Sequence, residues 1–182
     1  MININFQISY PLVNGILRTA FDEKLFQNKL TFIREFYNYN NIINKITKLT
    51  GMNFSEDKDI WLINEIYPTI SNPNLLNISN KNDKIIFDLI YILVHNVFYD
   101  NNYYDQFLND CGINENKLEA MVYLVVKKIL EEIFTKNQLS KLLNELQSDM
   151  FNKCVWDDVY LFEQKINFQT SLIKQNIKNL IN

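Results

Sequence analysis

Three glycines and three prolines in 182 residues leave this chain few places to turn back sharply on itself. An all-β sandwich or barrel needs such punctuation at nearly every hairpin. Helices turn through their own hydrogen bonding and need little of it. The expectation is therefore an all-α fold, a single-domain helical bundle of about seven to nine helices with room for one short N-terminal β-strand. Hydrophobic residues make up 47% and charged residues 21%, which is the composition of a chain that buries a core and not of a disordered one. The length fits one domain, residues 1–182. The abundance of Asn, Ile, Lys, Tyr and Phe reads as A/T-rich coding and carries no functional information.

Apolar residues step by three and four along most of the chain. Leu25, Phe26, Leu30 and Ile33 form one stripe behind Asp22, a candidate N-cap, and Ile42, Ile46 and Leu49 form another that ends at Gly51. Ser55, Glu56 and Asp57 have the character of a helix start, with acids where the dipole favours them, and predict a helix through Ile60, Trp61, Ile63 and Glu65 that stops before Pro68. The stretch TISNPNLLNISNKND, residues 69–83, is rich in loop formers and predicts a surface loop. Ile85 to Phe98 is apolar all round and predicts the central buried helix, packed on a second one from Leu118 to Ile133. Further helices are expected over Gln138–Phe151 and from about Trp156 to the C-terminus. The N-terminal MININFQISY alternates instead, with Ile2, Ile4, Phe6, Ile8 and Tyr10 at every second position. That alternation predicts either a strand, paired with another segment or with a second copy of the chain in a homodimer, or an extended arm over residues 1–10.

Chemistry-bearing motifs are scarce. His95 is the single histidine, and it lies on the apolar helix without a neighbouring nucleophile motif; an enzyme centred on it would draw on Asp88 or Tyr91. Cys111 and Cys154 lack the spacing of a zinc site and read as a reduced cytosolic pair. No Glu-x-x-His pair and no glycine-rich phosphate loop occurs, so no metal and no cofactor is expected. Asp88 and His95 interrupt the most apolar stretch, which is shorter than a membrane span, and the N-terminus lacks the pattern of a secretory signal. A cytoplasmic protein with no membrane association is the expectation. Residues 107–122 have the layout of a helix-turn-helix around Gly112, the basis of an alternative reading as a DNA-binding regulator. The candidate recognition turns offer Glu115, Asn116, Lys117 and Glu119, poor chemistry for base edges and phosphates.

Charge distribution is more telling. From Tyr99 to Val122 the acids Asp100, Asp105, Asp110, Glu115 and Glu119 face Lys117 alone, whereas the whole chain is only −3. Tyr103 and Tyr104 lie among them, and Glu56, Asp57 and Asp59 form a second acidic cluster. Carboxylates interleaved with tyrosine suit a basic protein surface and repel nucleic acid. The functional expectation is a non-enzymatic binding protein that blocks a basic surface of its partner. In its sharpest form it is an immunity protein or antitoxin, an inhibitor of a nucleic-acid-cleaving toxin.

Overall fold

A computed structural model describes residues 2–8, 22–64, 70–71, 73–103, 115–148 and 150–166. The chain begins as a strand. β1 (Ile4–Ile8) is followed by α1 (Glu23–Asn40), α2 (Ile42–Thr50), β2 (Lys58–Ile63), β3 (Ile70–Ser71), β4 (Asn74–Asn77), α3 (Asn82–Asp100), α4 (Glu115–Ile133), α5 (Lys136–Gln147) and α6 (Met150–Lys165). The protein is predominantly helical, with six helices among the described residues. It also carries a small sheet of order β1-β2-β4-β3 that the bundle expectation did not include.

The N-terminal alternation is a strand, and its partner lies within the chain: β1 pairs parallel with β2, in the register Ile4↔Lys58 through Ile8↔Leu62. β2 pairs parallel with β4, and the two-residue β3 closes the far edge antiparallel to β4. Two expectations fail here. Lys58–Ile63 is a strand and not part of a helix, because its burial alternates: Ile60 and Leu62 are buried, Asp59 is exposed and Trp61 half-buried. Nor are residues 69–83 a surface loop. They supply β3 and β4, and Leu76 and Ile78 are fully buried. Short strands like β4 read as loop in sequence, because four residues, two of them Asn, hold too little pattern to register.

One face of the sheet carries the core. Phe6 packs edge-on against Tyr37 of α1 at 5.6 Å, and Asn96 of α3 donates to Asn74 of β4 at 2.7 Å. The opposite face presents Asn5, Gln7, Asp59 and Trp61, with Asn5 beside Asp59 and Gln7 beside Trp61 in the register. The helical expectations fare well where they are described. Asp22 caps α1 by accepting from Leu25 N at 2.9 Å, and Asn41, left-handed at φ 50°, separates α1 from α2. Gly51, at φ 72°, ends α2 with its N–H on Thr47 O. α3 is buried from Ile85 to Phe98 except at Tyr91, as an all-round apolar helix must be, and packs against α4. The helix expected over Gln138–Phe151 is divided: α5 opens with a Thr135–Gln138 capping box and ends at Gln147, and α6 begins at Met150. Among the described residues no helix is long and apolar enough to cross a membrane.

Candidate functional site

The acidic residues gather on the sheet, at the C-terminal end of α3. Glu56, Asp57, Lys58 and Asp59 from the start of β2 meet Ser71, Pro73 and Asn74 around the β3–β4 turn, and Asn96, Tyr99 and Asp100 of α3 close the other wall, with Trp61 also lining. The groove so formed has a volume of about 410 Å³. Four carboxylates stand there against one ammonium, a net of −3 equal to that of the whole chain.

Among the lining residues a single lysine, Lys58, offsets this charge. Lys58 and Asp100 form a buried ion pair at 2.8 Å, each side chain 8% exposed, and Asp100 also accepts from Ser55 N. Glu56 reaches the same lysine at 3.2 Å but remains largely in solvent. Asp57 and Asp59 are held by neutral amides instead. Asn3 gives Asp57 both its backbone N–H, at 2.8 Å, and its side-chain amide, at 3.0 Å, while Asn5 and Gln7 both donate to Asp59 Oδ1. The Asn3 side chain first, and then its backbone, hold the Asp57 carboxyl below the usual carboxylate range. Neutral donors fix the geometry and leave the negative charge in place. Tyr99, 45% exposed, and half-buried Trp61 add aromatic surface beside them.

The residues singled out in the sequence are thus divided. Asp100 joins Glu56, Asp57 and Asp59, two clusters that are separate in sequence. Tyr103, expected at a partner surface, is 5% exposed and packs on Phe98 at 5.5 Å, so it belongs to the core. Glu119 does not line the groove and sits at a cluster with Tyr91 and His95. Tyr104, Asp105 and Asp110 lie outside the described residues, as does the side chain of Glu115. So does the turn of the helix-turn-helix layout; in α4 beyond it Asn116 and Lys117 are exposed, and the helix is buried almost throughout from Leu118 to Leu130. Trp61, Asn74 and Asn96 were missed as lining residues. The alternation of Asp57, Asp59 and Trp61 was the sequence signal that could have placed three residues on one strand face.

The second polar cluster lies between α3 and α4. His95, 5% exposed, has Nε2 at 3.2 Å from Glu119 Oε2, and the Tyr91 hydroxyl donates to Glu119 Oε1 at 2.6 Å. Burial, reinforced by the Glu119 charge, pushes the Tyr91 phenol far above its usual range, which makes it a permanent donor. Asp88 is engaged by Lys84 and by the Asn80 amide. Among the described residues no group of three or more His, Cys, Asp and Glu side chains could hold a metal ion.

Compared with models of known protein families, with curated proteins and with solved structures, the chain matches none.

Proposed function

We propose that this protein is a non-enzymatic binding protein whose docking site is the acidic groove of β2, β4 and α3, and that its partner offers a basic segment. The observation that carries the reading is the amide-held pair Asp57 and Asp59: charged, exposed and preorganised, with aromatic surface beside it. Preorganised charge steers association and selects against acidic partners, while Trp61 and Tyr99 supply apolar contact for lysine and arginine stems. In its sharpest form the partner is a nucleic-acid-cleaving toxin, whose phosphate-binding cleft is basic, and this chain is its immunity protein or antitoxin. The docking residues are then Glu56, Asp57, Asp59 and Tyr99, with the buried Asp100 shaping the floor.

The test is a titration of the chain with an extended Lys/Arg-rich peptide and with a panel of basic nucleases, read by Trp61 fluorescence and by residual nuclease activity. Binding is expected at low salt and is expected to fade as the Debye length shrinks. The double substitution Asp57→Asn, Asp59→Asn should weaken it and flatten its salt dependence. Equal affinity for an acidic peptide, or no change in the double variant, would remove the electrostatic basis of the reading.

A further inference from the structure

β1 lies at an edge of the sheet, so only one of its two sides is paired with a strand. The register with β2 fixes which backbone groups are left over. Lys58 N donates to Asn3 O, and Ile4 stands opposite Lys58 in a parallel ladder, so Asn3, Asn5 and Gln7 direct their backbone groups to β2. The N–H and C=O groups of Ile4, Phe6 and Ile8 therefore point outward. Among the described residues the one hydrogen bond on that side comes from Arg34, whose Nη2 donates to Phe6 O at 3.3 Å. It takes one lone pair of that carbonyl and leaves the other open, together with the outward amides of Ile4, Phe6 and Ile8. A row of open donors and acceptors along an edge strand is a template for one more strand.

The strand itself reads INFQI, a pattern that is the same in both directions: isoleucine, amide, phenylalanine, amide, isoleucine. An antiparallel copy centred on Phe6 sets Ile4 against Ile8, Phe6 against Phe6 and Ile8 against Ile4 as hydrogen-bonded pairs, with outward groups meeting outward groups throughout. Asn5 then stands opposite Gln7 on the polar face, and the isoleucines and phenylalanines continue the apolar face, so no side chain changes sides. Charge points the same way. The chain is −3 overall, which sets two copies against each other, but residues 2–8 hold no charged side chain, and along this edge copies meet without repulsion. An uncharged edge gives a basic segment no comparable advantage. We infer that β1 pairs with β1 of a second copy about a two-fold axis at Phe6, joining the two four-stranded sheets into one. The pairing sets the two β2 strands three strand spacings apart, about 14 Å. A basic partner then meets the outward carboxylates of both copies. That consequence rests on the docking reading; the pairing does not.

Sedimentation of the chain alone over a range of concentrations tests it without any partner, so its outcome is separate from that of the docking experiment. A monomer–dimer equilibrium is expected, with hydrogen exchange of the Ile4, Phe6 and Ile8 amides slowing as the dimer forms. Asn5→Lys combined with Gln7→Lys places like charges directly opposite each other on both sides of the axis, while Asp59 remains beside both positions within the chain. That double variant should weaken the dimer roughly tenfold, and its circular dichroism and melting curve check that it is folded. Should it misfold, Ile4→Pro removes an outward N–H that β1 does not use toward β2 and should weaken the dimer likewise. Cross-linking reads the register, in a background of Cys111→Ser and Cys154→Ser. Asn5 and Gln7 of opposite copies form a non-hydrogen-bonded pair with Cα atoms about 4.5 Å apart, within disulfide range. A mixture of Asn5→Cys and Gln7→Cys chains should give disulfide-linked dimers, and Asn5→Cys chains alone should not. The inference is overturned if the native chain stays monomeric up to its solubility limit, if its dimer is indifferent to these substitutions, or if Asn5→Cys chains cross-link equally well on their own.

Discussion

Replacing Lys58 by Met tests the internal logic of the groove. Lys58 and Asp100 are each 8% exposed and 2.8 Å apart, so the substitution leaves a carboxylate in the interior without its cation. Breaking a buried pair by deleting one partner costs about 3–5 kcal/mol. Ser55 N still donates to Asp100, which places the expectation at the lower end, roughly 3 kcal/mol, the value of a buried charged group that keeps one hydrogen bond. In a chain of this size each kcal/mol moves Tm by about 2–4 °C, so the melting point should fall by roughly 6–12 °C. Urea unfolding of Lys58→Met, Asp100→Leu and the double variant gives the coupling directly. The double variant should recover most of the loss, because two apolar groups of similar size can replace an ion pair at little cost. Glu56→Gln, which removes the exposed partner of the same lysine, should cost less than about 1 kcal/mol. A Lys58→Met loss of that small size, or a double variant no more stable than the single, would refute the claim that this pair is desolvated and holds β2 to α3.

Three further outcomes follow from other parts of the molecule. Leu76→Ala should cost about 2–5 kcal/mol in urea unfolding, as for a fully buried core leucine, and a near-zero value would return residues 69–83 to a surface loop. Thr135→Ala, which removes the side-chain cap of α5, should cost about 1 kcal/mol, read in the same assay. Glu163 accepts from Lys127 at 2.6 Å and from Lys128 at 2.5 Å. Burial, the largest single influence on Glu163, raises its pKa, but these hydrogen bonds outweigh it and leave the carboxyl below its usual value. Burial likewise opposes the charge of Lys128, and Glu163 and Glu131 outweigh it, leaving that ammonium above its usual value. The Glu163 contribution is therefore full above the unfolded glutamate pKa and is lost as pH falls through the lowered folded value. The Lys128 contribution is full below the unfolded lysine pKa and is lost as pH rises through the raised one. The stability difference between native and Glu163→Gln should shrink toward acid, and a difference constant down to strongly acidic pH would contradict the network.

The amount of fold legible in the sequence followed the length of each pattern. α3 and α4 were readable because nineteen residues of helix repeat their period several times over, and caps such as Asp22 and Gly51 act on their own neighbours. β1 was readable as an alternation. β2 was misread because its acidic lead, Ser55 to Asp57, has the composition of a helix start, although Asp57 satisfies Asn3 across the sheet instead. That interaction spans 54 residues and leaves no local mark.

By itself the sequence determined a predominantly helical chain, an alternating segment at its N-terminus, one central apolar helix and an acid-rich character, since each is set by residues a few positions apart. Only the tertiary structure decided which acids share a surface, that Tyr103 is core, and that Glu119 meets His95. Those outcomes depend on which elements pack together, and the parallel pairing of β1 with β2 and the docking of α3 on the sheet and on α4 join segments too far apart for any local pattern to record.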